Sequence, residues 1–128
     1  MKAICVDPAR ISEFWPHFKH LIDRAIIRVG RADPLIVESR VLDGNLLLWL
    51  AYDGQIVHGA AVTELDDGIC TIVACGGENL SLWLPLINDL EQFARDEGCK
   101  SVQIIGRKGW VRVLKNYKTK AVILERKL

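Results

Sequence analysis

The sequence has little of what marks the specialised protein classes. None of its apolar runs approaches the roughly 18 residues that a membrane helix requires, which argues against a spanning segment and a membrane partner. The opening stretch MKAICVDPAR has no apolar segment of signal-peptide length, so a soluble, cytoplasmic protein is expected. Cys5, Cys70, Cys75 and Cys99 stand singly, without a CxxC pair, and His17, His20 and His58 do not fall at zinc-ligand spacings from them. Free buried thiols in a reducing compartment are expected, and no metal site. Repeats, low-complexity segments and linkers are also lacking. The 128 residues therefore read as one domain, 1–128, long enough to bury a real core.

What is present is an ordinary globular balance, 50% apolar and 26% charged, rather than a disordered composition. The net charge is only +1 but is divided unevenly. Residues 1–94 carry 7 basic against 13 acidic residues, and residues 95–128 carry 10 against 3. That split suits either a site for an anionic partner or two solvated faces that neutralise each other.

Periodicity supplies the elements. Lys2–Val6 reads as a strand ended by Asp7-Pro8. Ile11, Phe14, Trp15, Phe18, Leu21, Ile22, Ala25, Ile26 and Val29 recur at helical spacing, with Pro16 as a point of kinking and Gly30 as the stop. Asp33 and Pro34 suit the N-cap and first turn of a second helix reaching Leu42. Three nearly unbroken apolar strands follow, Leu46–Tyr52, Gln55–Leu65 and Ile69–Cys75, joined by an Asp53-Gly54 hairpin and an Asp66-Asp67-Gly68 turn. Such runs suit a sheet covered on both faces. Trp83, Leu86, Ile87, Leu90, Phe93 and Ala94 then form the stripe of the strongest helix, capped by Gly98. Strand Ser101–Ile105, a basic turn Gly106–Gly109, a short helix Trp110–Tyr117 and a last strand Ala121–Glu125 complete the chain. The order β-α-α-β-β-β-α-β-α-β predicts an α/β domain, a mixed central sheet with helices on both faces.

Three segments carry a family likeness. LLLWLAYDGQIVHGAAVTEL, LINDLEQFARDEGCKSVQIIG and GWVRVLKNYKTKAVILERKL resemble the second and third strands, the central helix and the closing helix and strand of the GNAT superfamily of acyl-CoA-dependent N-acyltransferases. GRKGWVRVLKNY and VILERKL are also similar to small GNAT-like proteins of phages and prophages. The resemblance implies that acetyl-CoA lies in a gap between the fourth and fifth strands. Its pantetheine would pair with the fourth strand at Val73 and Cys75, and its pyrophosphate would sit on backbone amides of a Q/R-x-x-G-x-G/A loop that begins the central helix. Amides at a helix start carry partial positive charge, and glycines admit phosphate closely.

Counting back from Gly98 aligns that loop with Glu78, Asn79, Leu80, Ser81, Leu82 and Trp83. An acid replaces the basic or amide residue, Ser81 the first glycine and Trp83 the second small residue, and Pro85 follows. A shifted alignment would use Gly76 and Gly77, with Asn79 and Ser81, as the cradle. The superfamily's proton-donating tyrosine aligns with Leu114, and Tyr117 reaches the gap only if the register slips by about one helical turn. Glu64 is the best-placed carboxylate base and Asp66 the next, with hairpin-end acids as the plainer account of both. His58 reads either as a base or as a partly buried, satisfied histidine. Arg107, Lys108, Arg112 and Lys115 form a basic cluster beside the gap, suited to CoA phosphates, nucleic acid or an acidic partner, or to a solvated face. Only Trp110 accompanies them, which is no aromatic platform for bases.

Three functions are expected in order. The first is a noncatalytic GNAT-like domain without a cofactor, phage or prophage encoded and virion-associated in that case, binding other proteins or its own copies. The second is a divergent acetyl-CoA-dependent N-acetyltransferase. The third is a nucleic-acid binder with a basic surface.

Overall fold

In the computed structural model, residues 1–77 and 80–128 are described, with the side chains of residues 80–83 outside the description. The elements are β1 (Lys2–Cys5), α1 (Ile11–Val29), α2 (Pro34–Leu42), β2 (Leu47–Tyr52), β3 (Val57–Asp66), β4 (Ile69–Gly77), α3 (Leu80–Asp96), β5 (Ser101–Ile104) and α4 (Gly109–Val113). Local chemistry sets most boundaries. Gly30 ends α1 with φ 73°, a left-handed cap that glycine adopts without a Cβ penalty, and its N–H donates to Ile26 O at 2.9 Å. The Asp33 carboxylate accepts from Leu35 N at 2.9 Å and starts α2 at Pro34. Asp67 and Gly68, both at positive φ, make the tight turn between β3 and β4. Pro16 lies near the start of α1 and does not end it.

The five strands lie in the order β1-β2-β3-β4-β5, antiparallel except for the parallel β4–β5 pair that α3 connects. One face carries Leu48, Leu50, Ala60, Val62 and Ala74 against Trp15, Ile22 and Ile26 of α1 and Val37 and Val41 of α2. The other carries Trp49, Ala51, Ala61 and Ile72 against Leu86, Ile87 and Leu90 of α3 and against Leu114. The sheet is thus covered on both faces, as its continuous apolar strands predict.

The alternation of side chains is broken once in β4. Val62 faces Ala74 and Thr63 faces Ile72, so Val73 is an extra residue. Ile72 points to the α3 face while Ala74 points to the α1 face, although residues two apart in a regular strand share a face. Thr63, beside this bulge, accepts a hydrogen bond from Trp49 Nε1 at 2.9 Å in a buried setting. Its side chain is the polar group that the core must satisfy there.

Three boundaries differ from the sequence pattern. The β2–β3 loop is Asp53–Ile56 rather than Asp53-Gly54 alone, because Asp53 Oδ1 accepts from the amides of Gln55 and Ile56 and holds both residues out of the strand. The closing helix stops at Val113, so Tyr117 lies beyond it. The expected last strand Ala121–Glu125 does not form, and residues 118–128 carry no helix or strand. Its Val-Ile-Leu run has strand propensity but pairs with no described strand, and propensity alone does not hold a strand.

Replacing Thr63 by Val leaves the Trp49 indole N–H buried without a partner. The expected cost is about 1–3 kcal/mol, read as a lower urea midpoint. Trp49→Phe in the same chain should couple non-additively with it, since the orphaned donor is then removed.

Candidate ligand cleft

The bulge at Val73 has a consequence on the other edge of β4. The β4–β5 ladder runs from the Ile69/Ser101 pair to the Ile72/Ile104 pair, with Ile105 N donating to Ile72 O at 3.3 Å, and then stops. β4 continues to Gly77 paired with β3 only. A bulge bends its strand, so β4 leaves β5 from Val73 onward. The two strands part into a cleft lined by Ala74, Cys75, Gly76 and Gly77 on one side and Ile104–Arg107 on the other. α1 closes it with Leu21 and Ala25, and adds Arg24 and Arg28 one turn apart.

The walls approach each other closely. A Cβ on Gly76 would lie 2.5 Å from the carbonyl oxygen of Leu21, so only glycine lets α1 rest directly on the strand here. A Cβ on Gly106 would lie 2.4 Å from Cδ1 of Trp110, so this indole is seated on the glycine from the β5 side. The remaining cavity is about 80 Å³. Pockets that enclose small ligands usually hold ~300–1,000 Å³. The space among the described residues is smaller than such a pocket.

Among the described lining residues the ionisable side chains are Arg24, Arg28, Arg107 and Cys75. None of these arginines is in an ion pair among the described residues, so the cleft is electropositive. Burial pushes the Cys75 thiol up to about 12, which leaves it protonated and without nucleophilic character at neutral pH. No carboxylate, histidine or tyrosine lines this space among the described residues.

The residues singled out in the sequence are distributed unevenly about this geometry. Val73 is the bulge itself, and Cys75, Gly76 and Gly77 line the cleft. Gly76 serves helix packing, because the Leu21 carbonyl oxygen lies where a Cβ would project. Asn79 and the side chain of Ser81 lie outside the described residues. Glu64 faces Thr71 and forms an ion pair with Arg40 of α2. It is therefore three to six residues along β4 from the cleft, about 10–20 Å at strand rise.

Tyr117 is held elsewhere too. Its ring packs in the α3-side core, and its hydroxyl donates to Glu91 Oε2 of α3 at 2.7 Å. Desolvation, followed by that hydrogen bond, raises its pKa well above the usual phenol value. His58 pairs with Asp53 at 2.6 Å in the β2–β3 loop region and is not a lining residue. Of the basic cluster only Arg107 reaches the cleft, while Lys108, Arg112 and Lys115 are exposed around α4. Trp110 is packed over Gly106 and so presents no free stacking face there. Arg24 and Arg28 were not singled out by sequence reading, since they fall on the polar side of an amphipathic stripe. Their i, i+4 spacing beside Leu21 and Ala25 is the signal that marks them.

The overall fold is shared with solved acetyltransferases. An aminoglycoside acetyltransferase from an uncultured soil metagenomic sample, in complex with sisomicin, matches with TM-score 0.65 at 13% identity over 99% of this chain and 95% of its own. A predicted acetyltransferase with acetyl-CoA from Clostridium acetobutylicum matches at 0.65 and 14% identity over 99% and 94%. Tetrahymena GCN5 matches at 0.70 and 9% identity over 91% and 77%. The chain has the GNAT fold. No family model matches it, and no curated protein matches it by sequence. The likeness is one of fold, carried at low identity, and the GNAT architecture is here a divergent version.

Tyr117→Phe separates a proton-donor role from a packing role. The GNAT-fold geometry predicts a stability loss of about 1.5–3 kcal/mol from the lost bond to the Glu91 carboxylate, with no change at the cleft. Because the folded phenol titrates above its unfolded value near ~10, its contribution is complete below that pH and is lost as pH rises through the folded value. Absorbance titration should place its midpoint above those of exposed tyrosines. A midpoint at or below ~10 would contradict the contact.

Proposed function

We propose that this chain is a noncatalytic GNAT-fold domain that acts by binding protein, with the acyl-CoA gap of the fold narrowed to an arginine-rimmed cleft. The observation that carries this reading is the composition of the cleft. Acyl transfer to an amine needs a group that takes a proton from the nucleophile and one that returns a proton to the leaving thiolate. The described lining supplies guanidinium groups, which stay protonated, and one thiol held protonated by burial. Of the side chains with suitable chemistry, Glu64 is committed to Arg40, Tyr117 to Glu91 and His58 to Asp53. A phage- or prophage-encoded structural component is the setting that the sequence resemblance favours for such a domain.

A second reading, a divergent acetyl-CoA-dependent N-acetyltransferase, is favoured by one observation. The free edge of β4 from Val73 to Gly77 survives, and a structural neighbour of the same fold was solved with acetyl-CoA. Under it, Trp110 and the α1 wall would have to move apart to admit the cofactor.

Thermal melting distinguishes the two. The noncatalytic reading predicts an unchanged Tm at millimolar acetyl-CoA. A ligand at a hundred times its Kd adds about 2.7 kcal/mol, a readily measured rise. A rise that grows with acetyl-CoA, accompanied by release of free CoA thiol when amines are supplied, would replace the first reading by the second.

A further inference from the structure

The basic residues of the first helix are not all used alike. Arg10, Lys19 and Arg40 form ion pairs with Glu13, with Asp23 and Glu38, and with Glu64. Arg24 and Arg28 form none among the described residues, although they stand one turn apart on the exposed side of α1. Like charges at that spacing destabilise a helix, and Arg24 lies too far from the end of α1 at Val29 for the helix dipole to offset this. His17 and His20 continue the same exposed face toward the start of the helix, over about 16 Å in all. Asp23, the only acid between residues 17 and 31, is paired with Lys19. Apolar side chains adjoin this basic face. Ile27, one turn after Arg24, is 69% exposed. Leu35 is 68% exposed and lies three residues before Glu38, on the side of α2 that meets Lys19. The face also opens into the cleft, where Arg24 and Arg28 stand opposite Arg107.

We propose that this face of α1 docks an acidic peptide segment of a partner protein, its carboxylates on Arg24, Arg28 and Arg107 and its apolar side chains over Ile27 and Leu35. Charge complementarity names the occupant. A guanidinium fork matches a carboxylate bidentately, and these arginines gather where the described chain supplies no carboxylate of its own. The cavity of about 80 Å³ admits the end of one acidic side chain with its waters, since a single water needs only ~10–15 Å³ of such space. The exposed aliphatic groups beside the charges then leave water on docking, which adds affinity that charge alone does not give. A nucleic-acid strand matches the face less well. Trp110, the aromatic side chain of the cleft, is seated on Gly106 and offers no stacking surface, and a phosphodiester chain leaves Ile27 and Leu35 uncovered.

The docking face rests on the protein-binding reading above and gives its partner a chemistry, but it fails independently of it. The test is fluorescence anisotropy of a labelled dodecapeptide of alternating glutamate and leucine, N-acetylated and lysine-free so that it offers no amine for acylation. The full chain should bind it saturably and lose affinity as salt is raised, while the glutamine–leucine counterpart should not bind. Arg24→Gln with Arg28→Gln should weaken binding at least tenfold with an unchanged circular dichroism spectrum. Arg112→Gln with Lys115→Gln removes the same charge around α4 and should change affinity less than twofold. Ile27→Ser should weaken the glutamate–leucine peptide at least threefold and leave an all-glutamate peptide unaffected. Arg107→Gln, off the helix, serves if the α1 double variant fails to fold, and should also weaken binding. Absence of saturation at millimolar peptide, or an equal loss from the α4 pair, overturns the proposal. So does tighter binding of an oligothymidylate that the α1 variant abolishes, which would assign the face to nucleic acid. Peptide binding together with a Tm that rises with acetyl-CoA would keep the docking face and remove the noncatalytic reading.

Discussion

One extra residue in one strand organises the rest of this molecule. With Val73 inserted, β4 serves two cores, since Ile72 packs under α3 and Ala74 under α1. The same insertion bends the strand out of register with β5 and ends the parallel ladder at Ile72/Ile104. The cleft, the free edge from Val73 to Gly77 and the exposure of the β5 terminus all follow from that bend. The buried bond from Trp49 to Thr63 sits beside the bulge and satisfies a polar group in an otherwise apolar core.

The gap that the bulge opens is then largely filled again. Gly76 brings the α1 backbone onto β4, and Gly106 seats the Trp110 indole against β5. Three arginines surround what remains, while the carboxylate and phenol that could move protons are bound to partners elsewhere. Under the proposed noncatalytic reading, architecture and chemistry have separated, since a fold hosts a reaction only where particular side chains converge. The sheet is open at its β1 and β5 edges, and Val122, Ile123 and Leu124 near the C-terminus are exposed.

Much of this was legible in the sequence, and the reasons divide cleanly. Asp33-Pro34, Gly30 and Asp67-Gly68 act through their own backbones, so their boundaries could be read locally. The amphipathic stripes of α1 and α3 were likewise plain. The bulge was not, because a strand apolar on both faces reads the same with or without one extra residue, and only its pairing with β3 reveals the change of face. Gly76 and Gly77 line the cleft, but what a glycine admits depends on what lies opposite, at Gly76 the backbone of Leu21. Ala121–Glu125 has the pattern of a strand, but a strand also requires pairing, and it pairs with no described strand.

The central claim is that Leu21 and Trp110 close the gap between β4 and β5 against an acyl-CoA arm. A nitrogen–proton correlation spectrum of labelled protein titrated with acetyl-CoA tests it most directly. The account predicts that the amides of Val73–Gly77 and Ile104–Arg107, and the indole N–H of Trp110, keep their positions to millimolar ligand. Saturable shifts concentrated on those residues, with displacement of the Trp110 indole resonance, would contradict it.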